Sequence, residues 1–259
     1  MSTSLHRNGA LAGRIILITG AGGGLGGVAA KACAASGACV VLLDKAVGRL
    51  EKIHDEIVNL GHVQPAIYPM DLSKADEADY AGLAEVLENQ FGVLHGLLHS
   101  AVELGTLGRL DDVDAAQWDR LMRINLTAAQ ALTRWLLPLL QRAGDASLVF
   151  TSDSSARLGR AYWGAYGVAK IALEGMARMW AEELESAGRV RVNVFTPGPV
   201  NSPLRRKSHP GELAEETPSP ETLASRYVYL FGPESLGVHG QVVEGPGNVS
   251  RNKIGAKAV

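Results

Sequence analysis

Tyr166 and Lys170 stand four residues apart in the stretch 151–170, TSDSSARLGRAYWGAYGVAK. On a helix that spacing puts both side chains on one face. A phenol with a pKa near 10 is a poor acid–base catalyst at pH 7. A neighbouring ammonium favours the phenolate and lowers that pKa, so the pair is suited to moving a proton to or from an oxygen. A catalytic tyrosine of this kind needs a hydroxyl donor beside it. Thirteen residues before Tyr166, where a serine would serve, stands Asp153, flanked by Ser152 and Ser154. An ionised aspartate accepts hydrogen bonds and donates none. It also repels a phenolate and so opposes Lys170. In an extended strand residues 152 and 154 face away from the side used by 153, so neither serine replaces it. Ser155 shares that side and could contribute its hydroxyl if the chain bends.

A second chemistry is written near the start of the chain. The run Thr19-Gly20-Ala21-Gly22-Gly23-Gly24-Leu25-Gly26-Gly27 separates an apolar strand-like run from a helix-like one. Glycines let backbone N–H groups approach a pyrophosphate, and the following helix aims its positive end at it. Gly22, Gly24 and Gly27 fit the spacing GxGxxG, while Gly20, Gly24 and Gly26 fit GxxxGxG. The first glycine should fall directly after the strand, and Gly20 does, so the second register is preferred. The dinucleotide loop is accordingly assigned to Gly20, Gly22, Gly24, Leu25 and Gly26. Asp44 ends the second strand-like run, twenty-four residues beyond Gly20. A carboxylate there accepts hydrogen bonds from both ribose hydroxyls and repels a 2′-phosphate. Residue 23 is glycine and brings no basic side chain to such a phosphate. These features predict NAD as the cofactor, with Lys45 as the one contrary sign.

The elements that must position these residues follow from hydrophobic periodicity. Strands are predicted over 15–19, 39–44, 64–70, 95–100, 147–152, 191–196 and 241–243. Helices are predicted over 25–36, 47–60, 74–91, 114–137, 163–187 and 221–231, with Pro138 ending the fourth. Runs such as IILIT and VVLLD are apolar at nearly every residue and must be covered on both faces. The expected fold is therefore α/β: a Rossmann-type, doubly wound, three-layer fold with a seven-stranded parallel sheet. One domain spans 1–259. Residues 198–220 break the rhythm on the side where a ligand would sit and read as a variable substrate loop.

Composition narrows the partners. The chain has 259 residues, 46% hydrophobic, with a formal net charge of −2. Nothing in it suggests a nucleic acid or a membrane surface as partner. No apolar run approaches the roughly 18 residues needed to span a bilayer, and the opening MSTSLHRNGALAG lacks the apolar core of a signal peptide. Cys33 and Cys39 read as reduced core thiols, which predicts a cytoplasmic protein. His95 and His99 read as strand-end histidines rather than metal ligands, and no metal site is predicted. Trp118, Trp135, Trp163 and Trp180 read as helix-packing residues. The cluster Arg205-Arg206-Lys207 reads as a solvated loop, with an acidic substrate group as the alternative.

Taken together, Gly20/Gly24/Gly26, Asp44, the YxxxK pair and Pro197-Gly198 resemble the short-chain dehydrogenase/reductase family over residues 12 to about 247. The stretches SLVFTSDSSARLGRAYWGAY and RVNVFTPGPVNSPLR look most like a bacterial oxidoreductase subgroup, the YciK type. The resemblance implies hydride transfer between a nicotinamide cofactor and a carbonyl or secondary alcohol carbon, in a homodimer or homotetramer. It implies Tyr166 as general acid/base, with Lys170 lowering its pKa and binding the nicotinamide ribose. Asn125, in RINL, matches the asparagine that holds a proton-relay water, and Asp71 and Leu72 match the pair that contacts adenine. Pro197, Gly198 and Val200 match the turn over the nicotinamide, and Ser202 sits where a threonine often touches phosphate. Two departures stand out. The family's NNAG is His99-Ser100-Ala101-Val102 here, which removes amide hydrogen bonds to the sheet and adds bulk at Val102. Ser100 and Ala101 are still assigned to the cofactor, since the alanine leaves room for the ribose. The family's catalytic serine falls at Asp153. Two functions follow: an active NAD-dependent dehydrogenase or reductase with reduced activity near pH 7, or a dinucleotide-binding sensor or partner with weak or no turnover.

Overall fold

Strand β1 (Ile15–Thr19) is apolar up to its last residue, and its apolar side chains alternate between two separate cores. Leu17 joins Leu97, Leu148 and Val192 on one face; Ile16 and Ile18 join Leu98, Val149 and Phe195 on the other. Helices must therefore lie on both sides of the sheet. In the computed structural model the described residues are 9–245 and 252–253. In chain order they fold as β1, α1 (Gly24–Ala35), β2 (Cys39–Asp44), α2 (Val47–Asn59), β3 (Ala66–Pro69), α3 (Glu77–Phe91), β4 (Gly96–His99) and α4 (Ala115–Met122). There follow α5 (Ala128–Arg142), β5 (Ala146–Thr151), α6 (Ser154–Arg157), α7 (Gly164–Glu185), β6 (Val190–Thr196), α8 (Pro203–Ser208), α9 (Ala224–Phe231), β7 (Gln241–Glu244) and β8 (Asn252–Lys253).

The strands are ordered β3-β2-β1-β4-β5-β6-β7-β8. The first seven pair in parallel, as expected, and β8 adds a two-residue antiparallel pairing at the β7 edge. Strand order reverses between β1 and β4, and a crevice opens at the carboxyl ends of strands flanking such a switch point. Helices α3, α5 and α7 cover one face, and α1, α2 and α9 cover the other. Cys33 is fully buried in the second layer, and burial pushes its thiol up to about 12. Residues 1–8, the start of the opening stretch read as lacking a signal-peptide core, lie outside the described part. Within it, no helix is long and apolar enough to cross a membrane.

Three expectations need correction. The helix predicted over 114–137 is capped by Asp114, which accepts from Gln117 N at 2.7 Å, and it is interrupted by a π-helical segment, Arg123–Thr127. Pro138 does not end it: α5 continues to Arg142. Proline inside a helix costs about 3 kcal/mol. Burial of Leu136, Leu139 and Leu140 against the sheet holds the helix together across it. Finally, the loop 198–220 is partly folded: Ser202 caps α8 by accepting from Arg205 N at 3.1 Å, and a 3₁₀ turn follows at Ala214–Glu216.

The junction of β1 and β4 is held by one hydroxyl. Thr19 Oγ1 accepts from the backbone N–H of Ser100 at 3.0 Å and of Ala101 at 3.1 Å, and donates to Leu98 O at 3.3 Å. The sequence suggested that without NNAG the chain after β4 loses its ties to the sheet; Thr19 supplies such ties from the neighbouring strand. Thr19→Val keeps the shape and strands those N–H groups. We expect a loss of about 1–3 kcal/mol, read as a lower urea midpoint with an unchanged slope. An unchanged midpoint would show that the hydroxyl is dispensable.

Candidate active site

Helix α7 begins at Gly164 and lays its small residues on the sheet, with Ala165, Gly167, Ala169 and Ala177 among its buried or near-buried positions. This close approach carries Tyr166 and Lys170 to the end of β5, where they are 2% and 4% exposed. Tyr166 Oη donates to Asp153 Oδ2 at 3.2 Å. Lys170 Nζ donates to Thr151 O at 2.8 Å and lies 5.9 Å from the Tyr166 ring centroid. Tyr166, Lys170 and Asp153 therefore form one cluster.

Its electrostatics are mixed. Burial, followed by the Asp153 charge and the hydrogen bond to it, raises the Tyr166 phenol well above its ordinary value. Burial lowers the Lys170 ammonium to about 8, against the pull of Asp153 and Glu174, which both favour its charged form. A lysine that is partly neutral near this pH assists the phenolate less than a fully charged one would.

The residues beside Asp153 sort cleanly. Ser152 borders the cleft, but its hydroxyl is committed elsewhere: it donates to Glu174 at 2.5 Å. Arg157 Nε donates to both Glu174 oxygens, at 2.8 and 3.1 Å, and Arg157 Nη2 reaches Thr196 Oγ1 at 2.9 Å. Ser154 departs from expectation: β5 ends at Thr151, alternation stops there, and Ser154 opens α6 on the wall of the cleft. The side chain of Ser155 lies outside the described residues.

Asn125 sits in the π-helical segment, fully buried. Its Oδ1 accepts from Glu103 N at 3.0 Å, and its Nδ2 donates to Glu103 O at 2.9 Å and Leu121 O at 3.0 Å. The side-chain amide is thus spent on fixing the chain after β4. His99 is buried, bonded to Thr133 Oγ1 at 2.9 Å and stacked on Phe150, and burial drives its pKa down to about 3. His95 Nδ1 accepts from Ile15 N at 3.1 Å. Both histidines serve the sheet.

The glycine loop has the tightness that a phosphate cradle requires. A Cβ on Gly26 would lie 2.2 Å from Gly20 O, and one on Gly20 would lie 2.7 Å from Ala101 Cα. Gly20 also holds φ +68, open to glycine and strained for other residues. Gly24 faces Pro203 of α8, where a Cβ would come within 2.8 Å. Leu25 lies on the same wall. Asp44 accepts from Gly22 N at 3.3 Å and from Ala46 N at 3.0 Å, so its carboxylate is fixed beside the loop. Lys45, Arg49 and Lys52 line this end of the cleft as well. Asp71 accepts from the Ser73 hydroxyl and N–H, which hold its carboxyl below the usual range. Leu72 is buried beside it.

A single cleft of about 1190 Å³ connects these parts, running from Gly22 and Asp44 past Ala101 to Asp153, Tyr166 and Leu204. Ser100, Pro197, Gly198, Val200 and Ser202 all border it. Within α8, Arg205 is clamped by Glu212 through two contacts of 2.6 and 2.7 Å, and Arg206 donates to Asn201 at 2.7 Å. Arg205 and Lys207 line the cleft, so this cluster is not simply a solvated loop. Sequence reasoning missed the Ser152–Glu174–Arg157–Thr196 network. Glu174 follows Lys170 by one helical turn, on the buried face, and that register was the available signal.

Comparison with known proteins agrees with this geometry. The family model described as short chain dehydrogenase matches residues 14–213. The uncharacterized oxidoreductase YciK of Escherichia coli (strain K12) is 36% identical over 222 residues, covering 86% of this chain and 87% of that protein. A short chain dehydrogenase structure from Pseudomonas syringae is 43% identical with a TM-score of 0.89, covering 92% of this chain and 96% of that one. A short chain dehydrogenase from Shigella flexneri 2a, complexed with NADP, is 35% identical with a TM-score of 0.88, covering 92% and 99%. A dinucleotide-type glycine cradle, the Tyr166–Lys170 pair on α7 and these matches lead to one assignment: the chain belongs to the short-chain dehydrogenase family.

Proposed function

We propose that the chain is an oxidoreductase that moves a hydride between a nicotinamide dinucleotide and the carbon of a carbonyl or secondary alcohol. The observation that carries this reading is the buried Tyr166–Lys170 pair facing the same cleft as the glycine loop. The cradle fits a dinucleotide, since side chains at Gly20 or Gly26 would collide with backbone. Gly20, Gly22, Gly24, Leu25 and Gly26 would hold the pyrophosphate, Asp44 a ribose, and Asp71 and Leu72 the adenine. Ser100, Ala101, Pro197, Gly198, Val200 and Ser202 would border the nicotinamide half. When bound, that group supplies or accepts the hydride. Tyr166 gives a proton to the substrate oxygen during reduction and takes it back during oxidation. Lys170 holds positive charge beneath the phenol and orients the ribose. Asn125 fixes the 103 segment over the site. Asp153 stands where a hydroxyl donor would stabilise the substrate oxygen, which lowers carbonyl turnover. The alternative, a dinucleotide-binding protein with little or no turnover, rests on that same residue.

We propose NAD as the preferred dinucleotide, because the Asp44 carboxylate suits a ribose diol and residue 23 carries no charge. NADP is the second reading, favoured by Lys45, Arg49 and Lys52 around Asp44 and by the NADP held by the Shigella flexneri relative.

Two measurements follow. Tyr166→Phe should cut turnover by about 10²–10⁴ and leave the dinucleotide dissociation constant within a few-fold of wild type, because only the proton carrier is removed. Turnover close to wild type would assign the proton transfer to another group. Titration should show NADH binding more tightly than NADPH; equal affinity would overturn the NAD reading, and a preference for NADPH would favour the second.

A further inference from the structure

We propose that the substrate end of this cleft is a cation site, which takes the protonated C=N bond of an iminium, and the ammonium it becomes, in preference to the C=O bond of a ketone. The inference builds on the hydride-transfer reading above and names a substrate class for it.

The geometry is specific. The proton of Tyr166 Oη is directed at Asp153 Oδ2, 3.2 Å away, where a carbonyl substrate would need that proton for itself. A ketone reduced here would develop an oxyanion next to a carboxylate. An iminium reverses both relations. Its N–H donates to the carboxylate, its positive charge is met by Asp153, and no proton is required from Tyr166 during the hydride step. Charge pairs in a recess of low polarity are worth far more than in water.

The neighbouring charges do not cancel this preference. Arg205 feels the Asp153 charge, but its guanidinium fork is filled by Glu212. Lys170 feels the Asp153 charge as well, but its hydrogen bond goes to Thr151 O beneath the Tyr166 ring, and burial opposes its positive form. Glu174 is matched by Arg157 and by the Ser152 hydroxyl. Asp153 is thus the carboxylate presented to the cleft beside the phenol. Leu104 and Leu204 pack with Tyr166 at the same end and suit an apolar carbon skeleton around the charged nitrogen.

The reaction balances without a further reagent. The iminium carbon gains a hydride, the C=N π pair moves to nitrogen as a lone pair, and an amine results. The reductant is a reduced nicotinamide dinucleotide, which is oxidised by two electrons. The amine then takes a proton from solvent and becomes an ammonium, still suited to Asp153. Run backwards, the same steps oxidise an amine.

The test uses matched ring systems. Protonated dihydroisoquinoline and tetralone are compared as substrates with NADH and NADPH, and tetrahydroisoquinolinium and tetralol are compared as ligands by calorimetry, in wild type, Asp153→Asn and Asp153→Ser. Wild type should favour the iminium in kcat/KM, and the ammonium in binding, by at least about tenfold. Asp153→Asn, which keeps the shape, should erase the binding preference. Asp153→Ser should raise kcat/KM for tetralone and lower it for the iminium. Faster reduction of tetralone by wild type overturns the proposal, as does an equal gain for both substrates in Asp153→Ser. If neither ring is turned over, the binding contrast decides, and equal affinity for ammonium and alcohol overturns it. A wild type that binds no dinucleotide would instead overturn the hydride-transfer reading, with the ammonium contrast still readable.

Discussion

A buried ammonium has to be met by acceptors, and Lys170 is 4% exposed at the centre of this molecule's chemistry. Its hydrogen bond to Thr151 O ties α7 to the end of β5. The carboxylates of Asp153 and Glu174 both oppose the loss of its charge to burial. Each carboxylate has its own obligations. Glu174 is held by Ser152 and Arg157, and Arg157 in turn reaches Thr196 at the end of β6. Asp153 engages the Tyr166 phenol. The ends of β5 and β6, the start of α7 and the acid–base pair are consequently one connected polar cluster under an otherwise apolar sheet. Breaking one member of such a cluster leaves a charge buried without compensation, which is costly.

The second half of the site is built by exclusion rather than by charge. The glycine turn works because Gly26 presses on Gly20 and Gly20 presses on Ala101. The chain after β4 is drawn up to this turn by Thr19 and held from the other side by Asn125. The two halves share the cleft at the switch point between β1 and β4. A π-helical segment places Asn125 against Glu103, which borders that cleft, and such segments are frequent at functional sites.

Much of this was legible in the sequence. Near-continuous apolar strands dictated two helix layers, and the spacing of Tyr166 and Lys170 placed both on one helix face. The Asp153 substitution also lay open to inspection, as did the direction of its effect on Tyr166. What escaped was set by tertiary packing. Pro138 reads as a terminator, yet sheet contacts carry α5 past it. Ser154 reads as facing away, yet β5 ends at Thr151, three residues earlier than that logic needs. Thr19, Glu174 and Arg157 are ordinary residue types, and their roles appear only when β1 meets β4 and α7 meets β6. The loop 198–220 is rich in polar residues and breaks the periodicity; its short helix depends on a local cap at Ser202 and the Arg205–Glu212 clamp.

The central claim is that Asp153 holds the Tyr166 proton and opposes the lysine beneath it. The most direct test is an ultraviolet titration of the Tyr166 phenol in wild type and Asp153→Ser, with Tyr166→Phe as the blank that removes the other tyrosines from the signal. Removing a negative neighbour favours the phenolate, so the phenolate of Tyr166 should appear at lower pH in the serine variant than in wild type. Ionisation at the same or a higher pH in Asp153→Ser would contradict the account.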